Sequence, residues 1–245
     1  MWRSGIGGLV GLLLVMTPMA AVSAPEDGGL NTVYDFYLGG IKAGELRIDA
    51  NYEAGAYSAV SILRTAGVVG MVYRASFEAE AEGRLTDSGL EPQRFAADSR
   101  MTSKEQSVEM LYTERAPREV RAEPAFHPKP WQIEPAEQVG TLDPITAALT
   151  ALAPVEVADV CNTSVEIFDG RRRYAVDLGA PELEGGRIRC PALYRRVAGF
   201  KPKMMKKRPK FPFHVWFEER ADGKAHMVRA AGDSVFGIAV ILLRE

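Results

Sequence analysis

The chain has 245 residues, a formal net charge of −2 at pH 7 and a hydrophobic fraction of 47 %. It contains no internal repeat and no long linker, so its length and composition exclude a repeat array and favour a single domain. The charge is unevenly distributed, because six basic residues lie within residues 201–210 of a chain that is otherwise acidic.

The N-terminal segment has the pattern of a secretory signal peptide. Arg3 precedes an apolar stretch over residues 6–16, and small residues follow at 20–24. Because signal peptidase disfavours a proline directly after the cut, Pro25 favours cleavage after Ser23. We therefore expect a signal peptide over residues 1–23 and a single β-rich periplasmic domain over residues 24–245. The alternative is an uncleaved membrane anchor, but the apolar stretch is shorter than the roughly 20 residues that a spanning helix needs.

Most of the remaining chain alternates between apolar and polar residues. The stretches "AGELRIDANY" (residues 43–52) and "SFEAEAEGRL" (residues 76–85) each place small or apolar side chains on one face and charged side chains on the other. This alternation is typical of strands with one buried face. Further strands are predicted near residues 32–38, 56–64, 93–102, 106–113, 118–123, 187–198, 212–219, 225–232 and 234–243.

An apolar stretch interrupted by glycine, "GVVGMVY" at residues 67–73, lies between two of these strands. One interpretation is an ordinary buried turn. The other is a mobile flap over an apolar cavity, since methionine and glycine adapt to varied apolar ligands. The candidate flap residues are Val68, Val69, Met71, Val72 and Tyr73.

The stretch "LDPITAALTALAP" predicts the principal helix. Asp143 is a suitable N-cap, Pro144 suits the first helical position, and Pro154 marks the end. We expect this helix over residues 143–152, lying against the concave side of the sheet. The side chains expected to be buried are Ala147, Leu149 and Leu152.

The two cysteines, Cys161 and Cys190, predict a structural disulfide in an exported protein, with free thiols as the alternative. Between them, Asp169-Gly170 in "SVEIFDGRRRYAVDL" predicts a hairpin. The bridge would tie the strand before this hairpin to the strand after it. In the chain-entropy model, closing a loop of about thirty residues stabilises the fold by roughly 3–4 kcal/mol.

The basic run "KPKMMKKRPK" at residues 201–210 is predicted to be an exposed loop between two strands, because Pro202, Pro209 and Pro212 disfavour strand structure. Met204 and Met205 lie at its centre. One interpretation is a solvated loop, and the other is contact with an anionic envelope surface. The cations that would make this contact are Lys201, Lys203, Lys206, Lys207, Arg208 and Lys210.

No catalytic site is predicted, because the serine-hydrolase, zinc-protease, P-loop and dinucleotide-binding patterns do not occur. His214 has a nearby carboxylate in Glu218 but is expected on the surface. The alternating Glu78, Glu80 and Glu82 are typical of a solvated strand face rather than of paired catalytic acids. The 3 histidines show no metal-ligand spacing. We expect no metal and no cofactor.

Taken in order, several stretches resemble the DUF3108 family of exported bacterial proteins. They are "YDFYLGGIKAGELRI", "AEGRLTDSGLEPQRF", "LDPITAALTAL", "VEIFDGRRRYAVDL" and "FPFHVWFEERADGKAHMVRAAGDSVFGIAVIL". The resemblance spans nearly all of the chain after the signal peptide. It implies a mainly β periplasmic protein with a single strongly curved antiparallel sheet, a half-barrel or spiral like the lipoprotein carriers, and one principal helix. It supplies no catalytic residues.

These features favour a non-enzymatic periplasmic cell-envelope protein that binds or carries an apolar or amphiphilic ligand in the hollow of its sheet. The expected partners are a lipid or amphiphile and an anionic envelope surface or envelope protein. Export argues against nucleic acid, and no transmembrane segment is predicted in the mature chain. Two alternatives stay open: an interaction module that docks another envelope protein or peptide, and a hydrolase with an unrecognised site.

Overall fold

The structure, a computed structural model, describes residues 28–72, 74–234 and 237–244. The predicted signal peptide and Tyr73 lie outside the described residues. Strands dominate the described chain, and 15 of them belong to one antiparallel sheet. The prediction of a single large antiparallel sheet is confirmed.

The first seven strands form a meander in which each strand pairs with the next. The register places the buried side chains of neighbouring strands opposite each other, as for Ala59 and Ala81. The strands are β1 Gly28–Leu38, β2 Ile41–Glu53, β3 Ala56–Thr65, β4 Ala75–Thr86, β5 Gly89–Met101, β6 Lys104–Thr113 and β7 Ala116–Glu123.

The later strands form the other half of the sheet. They are β8 Val155–Glu156, β9 Ser164–Phe168, β10 Arg173–Leu178, β11 Glu182–Glu184, β12 Arg187–Ala198, β13 Lys210–Glu219, β14 Lys224–Ser234 and β15 Gly237–Leu243. Strand β15 pairs with β1 and joins the two halves, whereas the path of paired strands ends at β7 on one side and at β9 on the other. The sheet is therefore strongly curved but not closed.

Within the described residues, three α-helices accompany the sheet: α1 Gly67–Val72, α2 Pro144–Leu152 and α3 Pro202–Lys207. Helix α2 contacts β3, β4 and β5 in one half of the sheet and β9 and β14 in the other, so the sheet wraps around it. The side chain of Asp143 accepts hydrogen bonds from the backbone N–H groups of Ile145 and Thr146, which is the predicted N-cap. No helix within the described ranges is both long and apolar enough to cross a membrane.

The interior of the curved sheet is packed with side chains. Leu149 of α2 is completely buried and belongs to the same apolar cluster as Phe95 of β5 and Phe168 of β9. Ala147 and Leu152 are also buried, as the sequence predicted. The hollow expected for a ligand is thus occupied by α2, and open space lies at the margins of the sheet instead.

Cys161 and Cys190 lie at bonding distance, as predicted, with a Cα–Cα distance of 5.6 Å, and form a disulfide. Both are buried in the core. Cys161 lies just before β9 and Cys190 lies in β12, so the bridge ties the segment after α2 to a strand beyond the predicted hairpin. The hairpin itself is formed by β9 and β10.

The connections between strands lie alternately at the two ends of the antiparallel sheet. One end, here called the α3 rim, carries the β1–β2, β3–β4, β5–β6, β9–β10 and β12–β13 connections, with α1 in the second of these and α3 in the last. The opposite end, here called the far rim, carries the β2–β3, β4–β5, β6–β7 and β13–β14 turns and the turn after β11.

Candidate functional site

The basic segment, residues 201–210, connects β12 to β13 at the α3 rim. Residues 202–207 form helix α3 where the sequence predicted a loop, because Pro202 begins the helix at a position that needs no backbone donor. Strand β13 starts at Lys210, ahead of the predicted start at residue 212. All six cations of the segment are exposed.

Arg196 fixes the basic segment to the sheet. Its Nη1 donates hydrogen bonds to the carbonyl oxygens of Met204, at 3.2 Å, and Arg208, at 2.8 Å. Its guanidinium lies 5.4 Å from the ring centre of Phe200 and 4.7 Å from that of Phe211, within the range of cation–π attraction. The segment is therefore held at its C-terminal end, where the Arg208 guanidinium also lies 4.6 Å from the ring centre of Phe211, and its six cations are exposed.

The cationic surface continues into the neighbouring β9–β10 turn. The guanidinium of Arg172 lies 5.6 Å from the ring centre of Phe200, and that of Arg171 lies 5.1 Å from Phe126. The Asp169 carboxylate accepts hydrogen bonds from the backbone N–H groups of Arg171 and Arg172, and burial raises its pKa. Three consecutive arginines follow Asp169-Gly170 in the sequence, but the hairpin pattern alone does not indicate that they lie beside the basic segment.

The cations of the basic segment differ from most others in the chain by their lack of counter-ions. None of the six forms an ion pair with a described residue, whereas Arg64 pairs with Glu78, Arg94 with Glu109 and Arg121 with Glu119. A few other cations, such as Arg74, Arg100 and Lys104, also form no ion pair with a described residue, so the basic segment is distinguished by the density of its unpaired cations. The basic segment leaves its charges available to an external anion.

The predicted flap forms the short helix α1 on the same rim. Met71 is 82 % exposed, so the segment is not a buried turn. It borders an open depression of about 580 Å³ that Arg64, Arg74 and Met101 also line, rather than an enclosed apolar cavity. Val69 is half-buried, and the side chains of Val68 and Val72 and all of Tyr73 lie outside the described part of the chain.

A cleft of about 800 Å³ opens beside β1 near the far rim. It exists because β15 pairs with β1 only from Tyr34 onward, so that the first part of β1 has no described strand on this side. Leu30, Val33 and Pro154 supply apolar walls, and Arg220 lies at the margin. Tyr52 is 4 % exposed, and its buried hydroxyl has no hydrogen-bond partner among the described residues.

Buried polar groups also surround the start of α2. The Thr146 hydroxyl donates to the Asp143 carboxylate and lies 2.6 Å from the Tyr57 hydroxyl. Burial raises the pKa of Asp143 to about 6, in spite of the hydrogen bonds it accepts. Burial and the nearby Asp143 charge also raise the pKa of Tyr112. This cluster is enclosed by the core, so its observable consequence is pH-dependent stability.

Two of the three alternating glutamates considered for catalysis lie in surface ion pairs. Glu78 pairs with Arg64, and Glu80 lies 3.8 Å from Arg94. His214 is half-buried on β13, where its Nε2 lies 3.3 Å from Nη2 of Arg189. Within residues 28–72, 74–234 and 237–244, no three His, Cys, Asp or Glu side chains are grouped to hold a metal ion.

Residues 33–244 match the profile of a family described as "Protein of unknown function (DUF3108)". The chain belongs to the DUF3108 family. No curated protein matches this DUF3108 chain.

Among solved structures, the fold is similar to one described as "Crystal Structure of Beta-barrel-like Protein of Domain of Unknown Function DUF1849 from Brucella abortus". The similarity has a TM-score of 0.45 and 11 % sequence identity, and it covers 88 % of this DUF3108 chain and 95 % of the other.

Proposed function

We propose that this protein is a non-enzymatic periplasmic cell-envelope protein that attaches to an anionic envelope surface through its basic segment. The observation that carries the proposal is the set of six exposed cations without counter-ions at the α3 rim. A cation near an anionic membrane surface contributes about 1 kcal/mol of attraction. The predicted signal peptide and the disulfide are both consistent with export to an oxidising compartment.

The arrangement of the basic segment favours binding over simple solvation. Arg196 holds the carbonyl oxygens of Met204 and Arg208, so the cations belong to a fixed short helix rather than to a free chain. Fixing the segment before binding reduces the conformational entropy lost on contact. Phe200 and Phe211 support its base through contacts with arginine.

The test is co-sedimentation with phosphatidylcholine vesicles that contain phosphatidylglycerol, at low and high salt. Wild type should pellet at low salt and be released as salt rises, because charges are screened over a Debye length of about 8 Å at physiological ionic strength. Removing four of the six cations should lower the partition coefficient by roughly a thousandfold, which corresponds to about 4 kcal/mol. The four substitutions are Lys203→Ser, Lys206→Ser, Lys207→Ser and Arg208→Ser.

A matched control removes the same charge elsewhere. It replaces four exposed, ion-paired arginines on the outer face of the sheet, namely Arg47, Arg84, Arg118 and Arg121, by serine. This variant should pellet like wild type. Equal loss of binding in both variants would mean that only net charge matters. No pelleting of wild type at low salt, together with no retention on a heparin resin, would refute the proposal.

A second candidate function is the binding of an amphiphile in the cleft beside β1. The specific observation is the Tyr52 hydroxyl, which is buried at the cleft without a partner and therefore carries a desolvation cost that a ligand hydrogen bond would relieve. The apolar walls around it would receive an alkyl chain.

Titration with dodecanoate tests this second function. Tyr52→Phe should weaken dodecanoate binding by about tenfold, the equivalent of one lost hydrogen bond. The same change should stabilise the ligand-free protein slightly, because the unsatisfied hydroxyl is removed. Unchanged dodecanoate affinity in Tyr52→Phe, or no binding by wild type, would contradict it.

A further inference from the structure

We infer that the anionic surface is a lipid bilayer, and that the α3 rim inserts exposed apolar side chains into it. This inference rests on the proposed attachment through the basic segment and names its partner. It adds a second part of the protein, helix α1, to the contact. A soluble polyanion would use the cations alone, whereas a bilayer offers both headgroup charge and an apolar layer.

Five of the eleven exposed large apolar side chains among the described residues lie at or beside the α3 rim, whereas three, Val139, Val157 and Leu183, lie near the far rim. Met71 of α1 is 82 % exposed, and Ile41, in the first residue of β2, is 57 % exposed. The others at or beside the connections of this rim are Met101, Met204 and Ile238. They come from five separate connections or strand ends, so the fold brings together residues that are distant in sequence.

Cations accompany these apolar side chains on both sides of the rim. Arg74, Arg100 and Lys104 lie at the ends of β4, β5 and β6 beside α1, and the basic segment lies on the other half of the sheet. In the strand order, six strands from β3 to β13 separate the two groups. The turns and strand ends of the far rim carry charges of both signs, with Arg115, Arg187, Arg220 and Lys224 beside the acidic Glu53, Asp87, Glu114, Glu184 and Asp222.

This distribution is the pattern expected of a protein that meets an anionic bilayer with one end. Apolar side chains at connection tips reach below the headgroups, and cations around them contact the phosphates. Contacts from two opposite parts of a rim fix orientation, because both are made only when the α3 rim faces the bilayer. The far rim, where both signs alternate, has no comparable cluster of cations to attract the same surface.

Substitution of Met71 distinguishes insertion from purely electrostatic attachment. Because Met71 is largely exposed, Met71→Ser should fold normally and should lower the partition coefficient on phosphatidylglycerol vesicles by about tenfold. The matched control is Leu183→Ser, which removes an 87 % exposed apolar side chain from β11 at the far rim and should leave binding unchanged. On a heparin resin, which has no apolar layer, Met71→Ser should elute with wild type.

A fluorophore attached at the same two positions reports directly whether each position enters the apolar layer of the bilayer. An environment-sensitive dye on Met71→Cys should shift to shorter emission wavelength with anionic vesicles, and the same dye on Leu183→Cys should not. Salt-sensitive vesicle binding without a Met71 effect or dye shift would overturn insertion while leaving the proposed attachment intact. Binding to heparin but not to vesicles would also overturn it, and wild type that binds neither surface would refute the proposed function itself.

Discussion

Reduction of the disulfide should lower the free energy of unfolding by about 3–4 kcal/mol. The bond joins Cys161 to Cys190 across a sequence separation of 29 residues, so it restricts a substantial loop in the unfolded chain. It also links the segment that follows α2 to β12, inside the core. Urea unfolding of wild type with and without reductant measures the effect.

The double variant Cys161→Ala/Cys190→Ala separates the crosslink from the packing of the sulfur atoms. It should be at most as stable as reduced wild type, and it should not respond to reductant. Two thiols that alkylate in the native oxidised protein, or an unfolding midpoint unaffected by reductant, would contradict the predicted stabilising role of this bond.

The second large effect is a decrease in stability as the pH rises. Burial raises the pKa of Asp143 to about 6 in the folded protein, whereas an unfolded aspartate titrates near 3.9. Between these values the folded state binds a proton that the unfolded state has lost, so the free energy of unfolding falls as pH rises through this window. At about 1.4 kcal/mol per pKa unit, the contribution lost between about pH 4 and pH 7 is on the order of 3 kcal/mol.

Asp143→Asn isolates this effect, because an amide oxygen can still accept hydrogen bonds from the backbone of Ile145 and Thr146 but does not titrate. Most other titrating groups contribute equally to the two proteins, so their effects cancel in the difference in unfolding free energy between wild type and the variant. These groups include Asp35 and Asp177, whose pKa values are lowered by arginine partners. The free energy of unfolding of the variant should increase relative to that of wild type as pH rises from about 4 to 7. A difference that stays constant, or that moves the other way, would contradict the raised pKa.

Much of the sheet was predictable because alternation is a local property of the chain. In β4, Ala79 and Ala81 are buried and Glu80 is exposed, as their spacing requires. Helix α2 was predictable for the same reason, since Asp143 and Pro144 act on the backbone next to them. Helices α1 and α3 are each 6 residues long, too short to show a helical period, and depend on contacts with the sheet.

Which connections meet at the α3 rim was not predictable. Two distant connections lie at the same end of the sheet or at opposite ends depending on whether the chain reverses an even or an odd number of times between them. Counting the three-residue β11 as a further reversal, for example, would exchange the two ends of the sheet for every later connection, although β10 and β11 both pair antiparallel with β12 and so run in the same direction. The crossover through α2 adds the same ambiguity. Arg196 and Tyr52 carried no local signal either, because one matters through the carbonyl groups it contacts and the other through its position at a gap in the sheet.

The central claim is that the α3 rim, and not the far rim, meets an anionic bilayer. Hydrogen–deuterium exchange, followed by mass spectrometry with and without phosphatidylglycerol vesicles, measures the exchange rates of backbone amides at both rims in one experiment. We expect slower exchange with vesicles over residues 66–72 and 199–209, and no change at the far-rim turns over residues 54–55, 87–88 and 114–115. Protection at the far rim, or identical exchange at both rims with bound protein, would contradict the claim.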